Sequence, residues 1–198
     1  MIRIGVLALQ GDVSEHVHAM QRCMKGLDVK GEVTPVRRYG EVPHLDGLII
    51  PGGESTTISR LMHSKGIDTE VISFAERGNP VMGTCAGAIL LAKRGDLQVK
   101  KTGTLLLSLM DMEVSRNAFG RQRESFETEI RIDGFDRPFP GVFIRAPAIN
   151  RVWGRCRGAG YLGDHIVMSV QENLLALTFH PELTNDLRIH ELFLQKII

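Results

Sequence analysis

Cysteine, net charge and long apolar runs are all scarce in this 198-residue chain, and each scarcity excludes a class of protein. Three cysteines, far apart and odd in number, indicate neither a disulfide framework nor a metal-ligand cluster, so we expect a reducing, cytoplasmic setting. A formal net charge of +1 gives no electrostatic case for nucleic acid or an anionic membrane as the main partner. No apolar run reaches the roughly 18 residues that a membrane span requires. These features predict an ordinary soluble globular protein.

The first half of the chain repeats the order strand, turn, helix. Apolar stretches at residues 2–9, 46–50 and 80–82 are typical of buried parallel strands, and a weaker strand is predicted over 29–36. Each of the three stronger strands is followed by a polar or glycine-rich turn and then by apolar residues at helical spacing. This repeat predicts an α/β fold with a mostly parallel sheet and right-handed crossover connections.

After about residue 100 the predicted strands are joined by shorter polar turns. The strands expected here are residues 112–115, 126–132, 142–145, 166–171 and 174–179. A closing helix is predicted over 184–198, and the glycine-rich stretch 153–163 is interpreted as a loop or the end of a hairpin. The chain contains no internal repeat, low-complexity segment or linker, so residues 1–198 are expected to form one domain.

Three turns are expected to meet at one edge of the sheet. Ligand sites in parallel α/β sheets form beyond the carboxyl ends of the strands. The turns at Gln10-Gly11, Gly52-Gly53 and Cys85 each follow one of the stronger predicted strands. We therefore expect the candidate site at this edge.

Cys85 lies in the segment Gly-Thr-Cys-Ala-Gly at residues 83–87, between a predicted strand and a predicted helix. A G-x-C-x-G sequence in that context is typical of a nucleophile elbow with cysteine in place of serine, because small neighbours permit a sharp turn that exposes the side chain. The following helix would direct N–H groups and its positive dipole end at the sulfur, which favours thiolate. The alternative is a buried structural cysteine in an ordinary strand–loop–helix connection.

His180 is the histidine best placed to serve Cys85 as a base. Of seven histidines, it alone follows a strongly apolar strand, and Glu182 comes two residues later. Residues i and i+2 of an extended stretch point to the same side, and Pro181 is expected to keep the stretch extended. Glu182 can then orient the imidazole in a Cys-His-Glu relay. The alternative is that Glu182 only interacts with the dipole of the closing helix.

The first predicted helix carries two further histidines. Asp12 is expected to be the N-cap of this helix. His16 and His18 are expected to be solvated or partner-facing, because no cysteine or acidic cluster accompanies them at metal-site spacing.

Gly52-Gly53 has two interpretations. Paired glycines after a strand let the backbone adopt positive φ and approach a ligand closely, so an N–H here and that of Ala86 could form an oxyanion hole. The alternative is a plain tight turn.

Two arginine-containing segments are also notable. Arg145 interrupts an apolar strand end, where a guanidinium needs a carboxylate partner, and residues 116–127 are typical of a charged surface loop.

Together these residues resemble the class I glutamine amidotransferases. Cys85 in G-T-C-A-G, with His180 and Glu182 in F-H-P-E-L-T, carries that resemblance. Four further blocks are similar, more narrowly, to the glutaminase subunits of pyridoxal 5′-phosphate synthase: L-Q-G-D at 9–12, P-G-G-E-S-T-T at 51–57, R-N-A-F-G-R-Q at 116–122 and F-I-R-A-P at 143–147. The resemblance covers essentially the whole chain, least clearly residues 94–110. It implies a flavodoxin-like, three-layer α/β sandwich around a mostly parallel sheet.

The resemblance implies hydrolysis of L-glutamine to L-glutamate and ammonia. Cys85 would attack the side-chain amide, and His180, oriented by Glu182, would protonate the departing ammonia. Water would then release glutamate from the thioester. The implied oxyanion hole is formed by the backbone N–H groups of Gly53 and Ala86. The implied glutamine-binding residues are Gly53, Glu54, Ser55, Arg116, Ile144 and Arg145.

The resemblance also implies a protein partner and no cofactor. In the family, ammonia passes to a separate TIM-barrel synthase subunit in a large hetero-oligomer, and that partner makes pyridoxal 5′-phosphate. The chain itself would need neither metal nor bound pyridoxal phosphate. Docking would complete the oxyanion hole near Gly52-Gly53, with residues 10–18 at the partner-facing surface. Two alternatives stay open: a glutaminase subunit that feeds another synthase, or a non-catalytic subunit that only binds glutamine.

Overall fold

Strands and helices alternate through the first half of the chain in the computed structural model, which describes residues 1–116 and 125–198. The described strands are β1 (Ile2–Leu7), β2 (Gly31–Val36), β3 (Gly47–Ile50), β4 (Val81–Thr84), β5 (Ala92–Gly95), β6 (Met110–Ser115), β7 (Ser125–Ile132), β8 (Phe139–Ile144), β9 (Ala148–Val152), β10 (Arg157–Leu162), β11 (His165–Gln171) and β12 (Leu174–Leu177). The described helices are α1 (Val13–Gly26), α2 (Ser55–Lys65), α3 (Ile67–Glu76), α4 (Ala86–Leu91), α5 (Leu97–Lys101) and α6 (Arg188–Leu194).

The central sheet has a parallel part and an antiparallel part. Strands β2, β1, β3, β4 and β12 lie side by side in that order and run parallel. From β12 the sheet continues through β11, β10, β7 and β8, with each new neighbour antiparallel. A branch formed by β5, β6 and β9 joins the sheet where β9 pairs with β11. The carboxyl ends of β1, β3, β4 and β12 therefore share one edge.

Helices cover both faces of the parallel strands. Alternate residues of β3 point to opposite faces, so Leu48 and Ile50 pack into one core cluster and Ile49 into the other. The first cluster includes apolar residues of α2, α3 and α4, and the second includes residues of α1 and α6. Two helical layers thus enclose one sheet, which confirms the predicted α/β three-layer sandwich. Within the described ranges, the helices are too short or too polar to cross a bilayer.

The second half contains elements that the sequence did not indicate. Residues 157–162 form β10, which makes an antiparallel hairpin with β11, so of the two interpretations of 153–163 the end of a hairpin is correct there and the loop is wrong. Gly158 and Gly160 lower the strand propensity of this stretch, and register shifts against β11 occur at these glycines. Strands β5 and β9 and helix α5 were also not predicted.

The closing helix is shorter than predicted and begins at Arg188. The hydroxyl of Thr184 accepts from the N–H of Asp186 and also donates to the carbonyl of Pro181. Such local side-chain bonds satisfy backbone groups outside a helix and compete with helix formation. This stretch therefore turns before the helix starts.

Candidate active site

Cys85 stands between β4 and α4 in a strained backbone conformation. Its φ and ψ are 48° and −102°, a combination that residues with a side chain rarely adopt. The N–H of Cys85 donates to the carbonyl of Leu177 at 2.8 Å, which ties the turn to the end of β12. The cysteine is 8% exposed, so the sulfur lies just below the surface. This geometry is that of an elbow that presents a side chain beyond the end of its strand.

Gly83 and Gly87 permit this turn because there is no room for a side chain at either position. A Cβ on Gly83 would lie 2.6 Å from the backbone of Gly87, and a Cβ on Gly87 would lie 2.1 Å from the carbonyl oxygen of Ile50. The start of α4 therefore packs against β3 and β4 through bare backbone. This close approach is the physical reason for the small residues on either side of Cys85.

His180 follows β12 and is held by its backbone and its ring. Its N–H donates to the carbonyl of Val142 on β8 at 2.8 Å, and its Nδ1 lies 2.7 Å from Glu182 Oε1. The expectation of an extended stretch is wrong, because Pro181–Leu183 forms a 3-10 turn that brings Glu182 back to the ring. An Nδ1–H donor to the carboxylate leaves Nε2 available to the thiol.

The charge state of His180 follows from its two partners. Burial lowers the pKa of His180, but interactions with Cys85 and Glu182 outweigh burial and raise that pKa to about 10. An imidazolium is favoured because it lies between a thiol that can ionise and a carboxylate. Burial raises the pKa of Glu182, and the hydrogen bond with His180 acts in the opposite direction. The three groups form one electrostatic unit.

His16 contacts the far side of Glu182, which is a departure from the expected exposure of that histidine. The His16 ring is fully buried, and its Nε2 lies 3.2 Å from Glu182 Oε2 and 3.0 Å from Thr84 Oγ1. The prediction that His16 is solvated is therefore wrong, whereas His18 is exposed as expected. The missed signal is spacing: His16 lies four residues before Met20, on the apolar stripe of α1.

Asp12 occupies the N-cap position of α1, as predicted, and its side chain faces the triad. Its side chain makes no capping hydrogen bond, and its Oδ2 lies 3.5 Å from His180 Nδ1. Among the described residues, Asp12, His180 and Glu182 are the group whose ligand atoms lie close enough together, within 4.8 Å, to hold a metal ion. The nitrogen that His180 would offer is already bonded to Glu182 at 2.7 Å, so the geometry fits a proton relay better than a metal site.

The turns after β1 and β3 pack on each other beside His180. A Cβ on Gly11 would lie 1.7 Å from the carbonyl oxygen of Gly52, and a Cβ on Gly52 would lie 2.4 Å from His180 Cε1. Gly53 has a φ of 140°, and the side-chain oxygen of Gln10 accepts the N–H of Glu54 at 2.7 Å. The three turns predicted to meet at one edge do meet there.

Glu54 and Arg116 form a polar pair on the rim of the site. The Arg116 guanidinium approaches Glu54 Oε1 at 3.4 Å and donates to Thr56 Oγ1 at 3.2 Å. The Glu54 side chain is 62% exposed, whereas that of Arg116 is only 15% exposed. Ser55 is buried beside them, and its hydroxyl has no hydrogen-bond partner among the described residues. This group combines a carboxylate, a guanidinium and an unsatisfied hydroxyl.

Ile144 and Arg145 approach from the antiparallel part of the sheet. The Cys85 thiol donates to the carbonyl of Ile144 with a sulfur–oxygen distance of 3.8 Å. Arg145 is exposed and has a φ of 44°, a strained value for a residue with a side chain. The β8 strand thus ends in a backbone irregularity directly beside the sulfur. Residues 117–122 of the R-N-A-F-G-R-Q block lie outside the described ranges.

The arrangement contains the parts of a nucleophilic acyl-transfer site. A thiol, an imidazole and a carboxylate lie in sequence, which permits attack by sulfur and proton transfer through the ring. Ala86 is the first residue of α4, so its N–H has no intrahelical acceptor, and Gly53 lies on the turn that packs beside His180. Charged groups of both signs stand at the rim, as a zwitterionic substrate would require.

Comparison with known proteins agrees with this chemistry. The model of the SNO glutamine amidotransferase family matches residues 6–198. The chain is 53% identical over 197 residues to pyridoxal 5′-phosphate synthase subunit PdxT of Methanosarcina acetivorans, covering 100% of this chain and 99% of that relative. It is 53% identical over 194 residues to the protein of the same name from Archaeoglobus fulgidus, covering 98% of each.

Solved structures give the same result for the fold. A crystal structure of a glutamine amidotransferase matches with a TM-score of 0.87 and 44% identity over 98% of both chains. A glutamine amidotransferase from Thermotoga maritima, only 11% identical, matches with a TM-score of 0.68 over 99% of this chain and 96% of that one, which supports the fold alone. A family match over nearly the full length and relatives at about half identity leave one conclusion: the chain belongs to the SNO glutamine amidotransferase family.

Proposed function

We propose that this protein hydrolyses L-glutamine to L-glutamate and ammonia through a Cys85-His180-Glu182 triad. The observation that carries the proposal is the strained Cys85 backbone beside a His180–Glu182 pair at 2.7 Å, in a chain of a glutamine amidotransferase family. The raised pKa of His180 supports it, because an imidazolium beside Cys85 can supply the proton that the departing ammonia needs.

In the first half-reaction the Cys85 thiolate attacks the side-chain amide carbon of glutamine. A carbon–sulfur bond forms, and the carbonyl oxygen becomes an oxyanion in a tetrahedral intermediate. The His180 imidazolium then gives its proton to the amide nitrogen as the carbon–nitrogen bond breaks. Ammonia leaves, and a glutamyl thioester remains on Cys85.

In the second half-reaction the neutral His180 ring takes a proton from water. The resulting hydroxide attacks the thioester carbon, the carbon–sulfur bond breaks, and glutamate leaves. The Cys85 thiolate and the His180 imidazolium are then restored for the next cycle. Glu182 stays ionised throughout and keeps Nδ1–H directed away from the substrate.

The oxyanion in both steps needs two N–H donors, for which we assign Gly53 and Ala86. The position of Ala86 directly after Cys85, at the start of α4, supports its assignment. Gly53 depends on the turn after β3, which is held by the hydrogen bond from the Glu54 N–H to Gln10. A glycine at φ 140° can reorient its peptide at small cost, so this donor is the adjustable one.

The α-groups of glutamine require charges of opposite sign. Glu54 suits the α-ammonium, and Arg116 or Arg145 suits the α-carboxylate. Ser55 can add its unsatisfied hydroxyl, and Ile144 can contribute backbone beside the sulfur. Glu54 and Arg116 lie 3.4 Å apart in the free chain, so substrate would bind by exchanging part of that contact for its own charges.

The ammonia is delivered to a protein partner. Relatives at about half identity carry the name of a pyridoxal 5′-phosphate synthase subunit, so the partner proposed is a TIM-barrel synthase subunit in a large hetero-oligomer that makes pyridoxal 5′-phosphate.

The continuous sheet supports the proposal that residues 1–198 act as one glutaminase domain. Three free, buried cysteines suit a cytoplasmic setting. The proposed reaction uses protein side chains, two backbone N–H groups and water.

The test is a glutaminase assay with and without the synthase subunit, measuring glutamate and ammonia. We expect turnover to rise on addition of the partner, because docking completes the oxyanion hole at Gly53. A glutamine analogue with a diazoketone in place of the amide should label Cys85, as mapped by peptide mass spectrometry. The Cys85→Ala variant should lose the label and roughly 10⁴-fold or more of the turnover.

Retained turnover in Cys85→Ala would contradict catalysis at this site. Turnover that does not change at saturating synthase subunit would contradict the partner, and stimulation by a different acceptor enzyme would assign the chain to another synthase.

A further inference from the structure

A fully buried histidine outside the triad stands behind Glu182. The carboxylate has two oxygens: Oε1 bonds to His180 Nδ1 at 2.7 Å, and Oε2 lies 3.2 Å from His16 Nε2. Both the His16 and the Glu182 side chains are 0% exposed, so no water shell can satisfy the second oxygen. Oε2 has no hydrogen-bond partner among the described residues, and a buried carboxylate oxygen left unpaired is costly.

The His16 ring is shared between two acceptors. Its Nε2 is better directed at Thr84 Oγ1, at 3.0 Å, than at Glu182 Oε2, which meets it at a poor hydrogen-bond angle. At 3.2 Å the N–H dipole still points its positive end toward the anion, and the contact is therefore electrostatically favourable. A small rotation of the His16 ring would turn its Nε2–H from the Thr84 hydroxyl toward the Glu182 carboxylate.

The surroundings of His16 determine which of its nitrogens carries the proton. Burial lowers the pKa of His16 well below its ordinary value, and the nearby rings of His190 and His180 lower it further, so the ring is neutral. Its Nδ1 has no hydrogen-bond partner among the described residues. A proton on Nδ1 would be unsatisfied and would leave the Nε2 lone pair facing the Glu182 carboxylate. The favoured tautomer therefore carries its proton on Nε2.

We propose that His16 is a positioning residue for the triad: the positive end of its Nε2–H dipole lies against the second oxygen of Glu182 and stabilises the orientation in which the first oxygen is directed at His180. The role rests on the proposed glutaminase chemistry, in which Glu182 orients the imidazole. His16 does not touch the sulfur or the substrate, and it acts through the carboxylate alone. The relay thus extends one residue further, from Cys85 through His180 and Glu182 to α1.

The first test observes the tautomer in the unaltered protein. In the full chain labelled with ¹⁵N-histidine, we expect the His16 ring to be neutral, with the proton on Nε2 and none on Nδ1. A neutral ring with the proton on Nδ1, or a doubly protonated ring, would overturn the proposal. This measurement needs no variant and no turnover, so it stands even if the proposed glutaminase activity is not found.

The second test uses three variants, assayed as full chains with the synthase subunit present. His16→Leu removes the donor, His16→Gln retains an N–H donor, and Met20→Ala is a matched control on the same buried face of α1, one turn away. We expect His16→Leu to lower kcat by about 10-fold, because a favourable electrostatic contact with a buried carboxylate is lost, with KM for glutamine changed less than about twofold. His16→Gln should recover most of that loss.

Met20→Ala should lower the melting temperature and leave kcat within about twofold of the parent, because it opens a cavity without touching the relay. Alkylation of Cys85 by iodoacetamide gives a readout that does not depend on glutamine. Its pH profile should move to higher pH in His16→Leu and stay near that of the parent in His16→Gln. Equal loss of kcat in His16→Leu and Met20→Ala, or an unchanged alkylation profile in His16→Leu, would reduce His16 to a packing residue.

Discussion

The parallel and antiparallel parts of the sheet contribute different kinds of group to the same site. The parallel strands β1, β3, β4 and β12 end in turns that carry buried, mutually bonded groups, with Cys85, His180 and Glu182 among them. The branch strand β6 leads to Arg116, and β8 of the antiparallel part ends at Ile144 and Arg145, whereas Gly53, Glu54 and Ser55 follow β3 of the parallel part. The groups that would perform chemistry are buried, and most of those that would recognise substrate are exposed or half-buried.

This difference has a physical cause. A reactive thiolate and its imidazolium interact strongly only where water is largely excluded, and the crowded carboxyl edge of a parallel sheet supplies such a place. Groups that bind free glutamine must instead be accessible from solvent, and strand ends at the margin of the sheet leave room for the substrate to enter. We therefore expect changes at the buried triad to affect kcat and changes at the exposed or half-buried recognition residues to affect KM.

The largest effect in this comparison is expected for Glu182→Gln. The substitution keeps the shape but removes the charge that orients His180, so kcat should fall by about 10²- to 10⁴-fold with little change in KM or in the melting temperature. Steady-state kinetics in the presence of the synthase subunit measure this. Asp12→Asn is the matched control, because Asp12 also faces His180 Nδ1 but at 3.5 Å and with a 41% exposed side chain, and its loss should be less than about tenfold. Unchanged turnover in Glu182→Gln would remove that residue from the relay.

A smaller effect, on KM instead of kcat, is expected for Arg116→Ala. Loss of the guanidinium should raise KM for glutamine by about 10- to 100-fold, since a charged hydrogen-bond donor to the α-carboxylate is lost. The rate of Cys85 alkylation by iodoacetamide should stay the same, because that reagent has no α-carboxylate. Arg151→Ala, an exposed arginine paired with Glu113, serves as control and should be neutral. A fall in kcat with no change in KM would contradict the distinction between the buried triad and the recognition residues.

The smallest effect on activity is expected for Arg188→Leu, which tests a contact that is only structural. Arg188 pairs with Asp186 at 2.6 Å and donates to the carbonyls of Arg137 and Pro138 just before β8. We expect a loss of about 1–2 kcal/mol in the free energy of unfolding, with kcat and KM changed less than about twofold.

The same variant should also lose a pH dependence of stability. The hydrogen bond from Arg188 holds the pKa of Asp186 below its ordinary value of 3.8. Because the folded pKa is the lower one, this contribution is present above pH 3.8 and is lost as the pH falls through the folded value. Melting temperatures between pH 5 and pH 3 should therefore fall less steeply in Arg188→Leu than in the parent. An equal slope in both proteins would show that the pair does not contribute.

Sequence reasoning succeeded where the relevant forces are local. The elbow at Cys85 was predicted because small residues between a strand and a helix report a short-range steric requirement, and the structure shows the close backbone contacts of Gly83 and Gly87. The strands of the parallel part were predicted because both of their faces are buried, which leaves an apolar run in the sequence. Strand β10 was missed because its glycines suit a turn as well as a strand.

The sequence alone therefore determined the alternating α/β order, the glycine-lined turns and the proximity of Glu182 to His180, since these depend on neighbours a few residues apart. Only the tertiary structure decided which distant groups share a buried space. His16 meets Thr84, 68 residues away, and Glu182, because α1 packs over the end of β4. The physical reason is that a polar residue on a helix acquires its role from whatever packs against it, and that partner is chosen by the topology of the whole sheet.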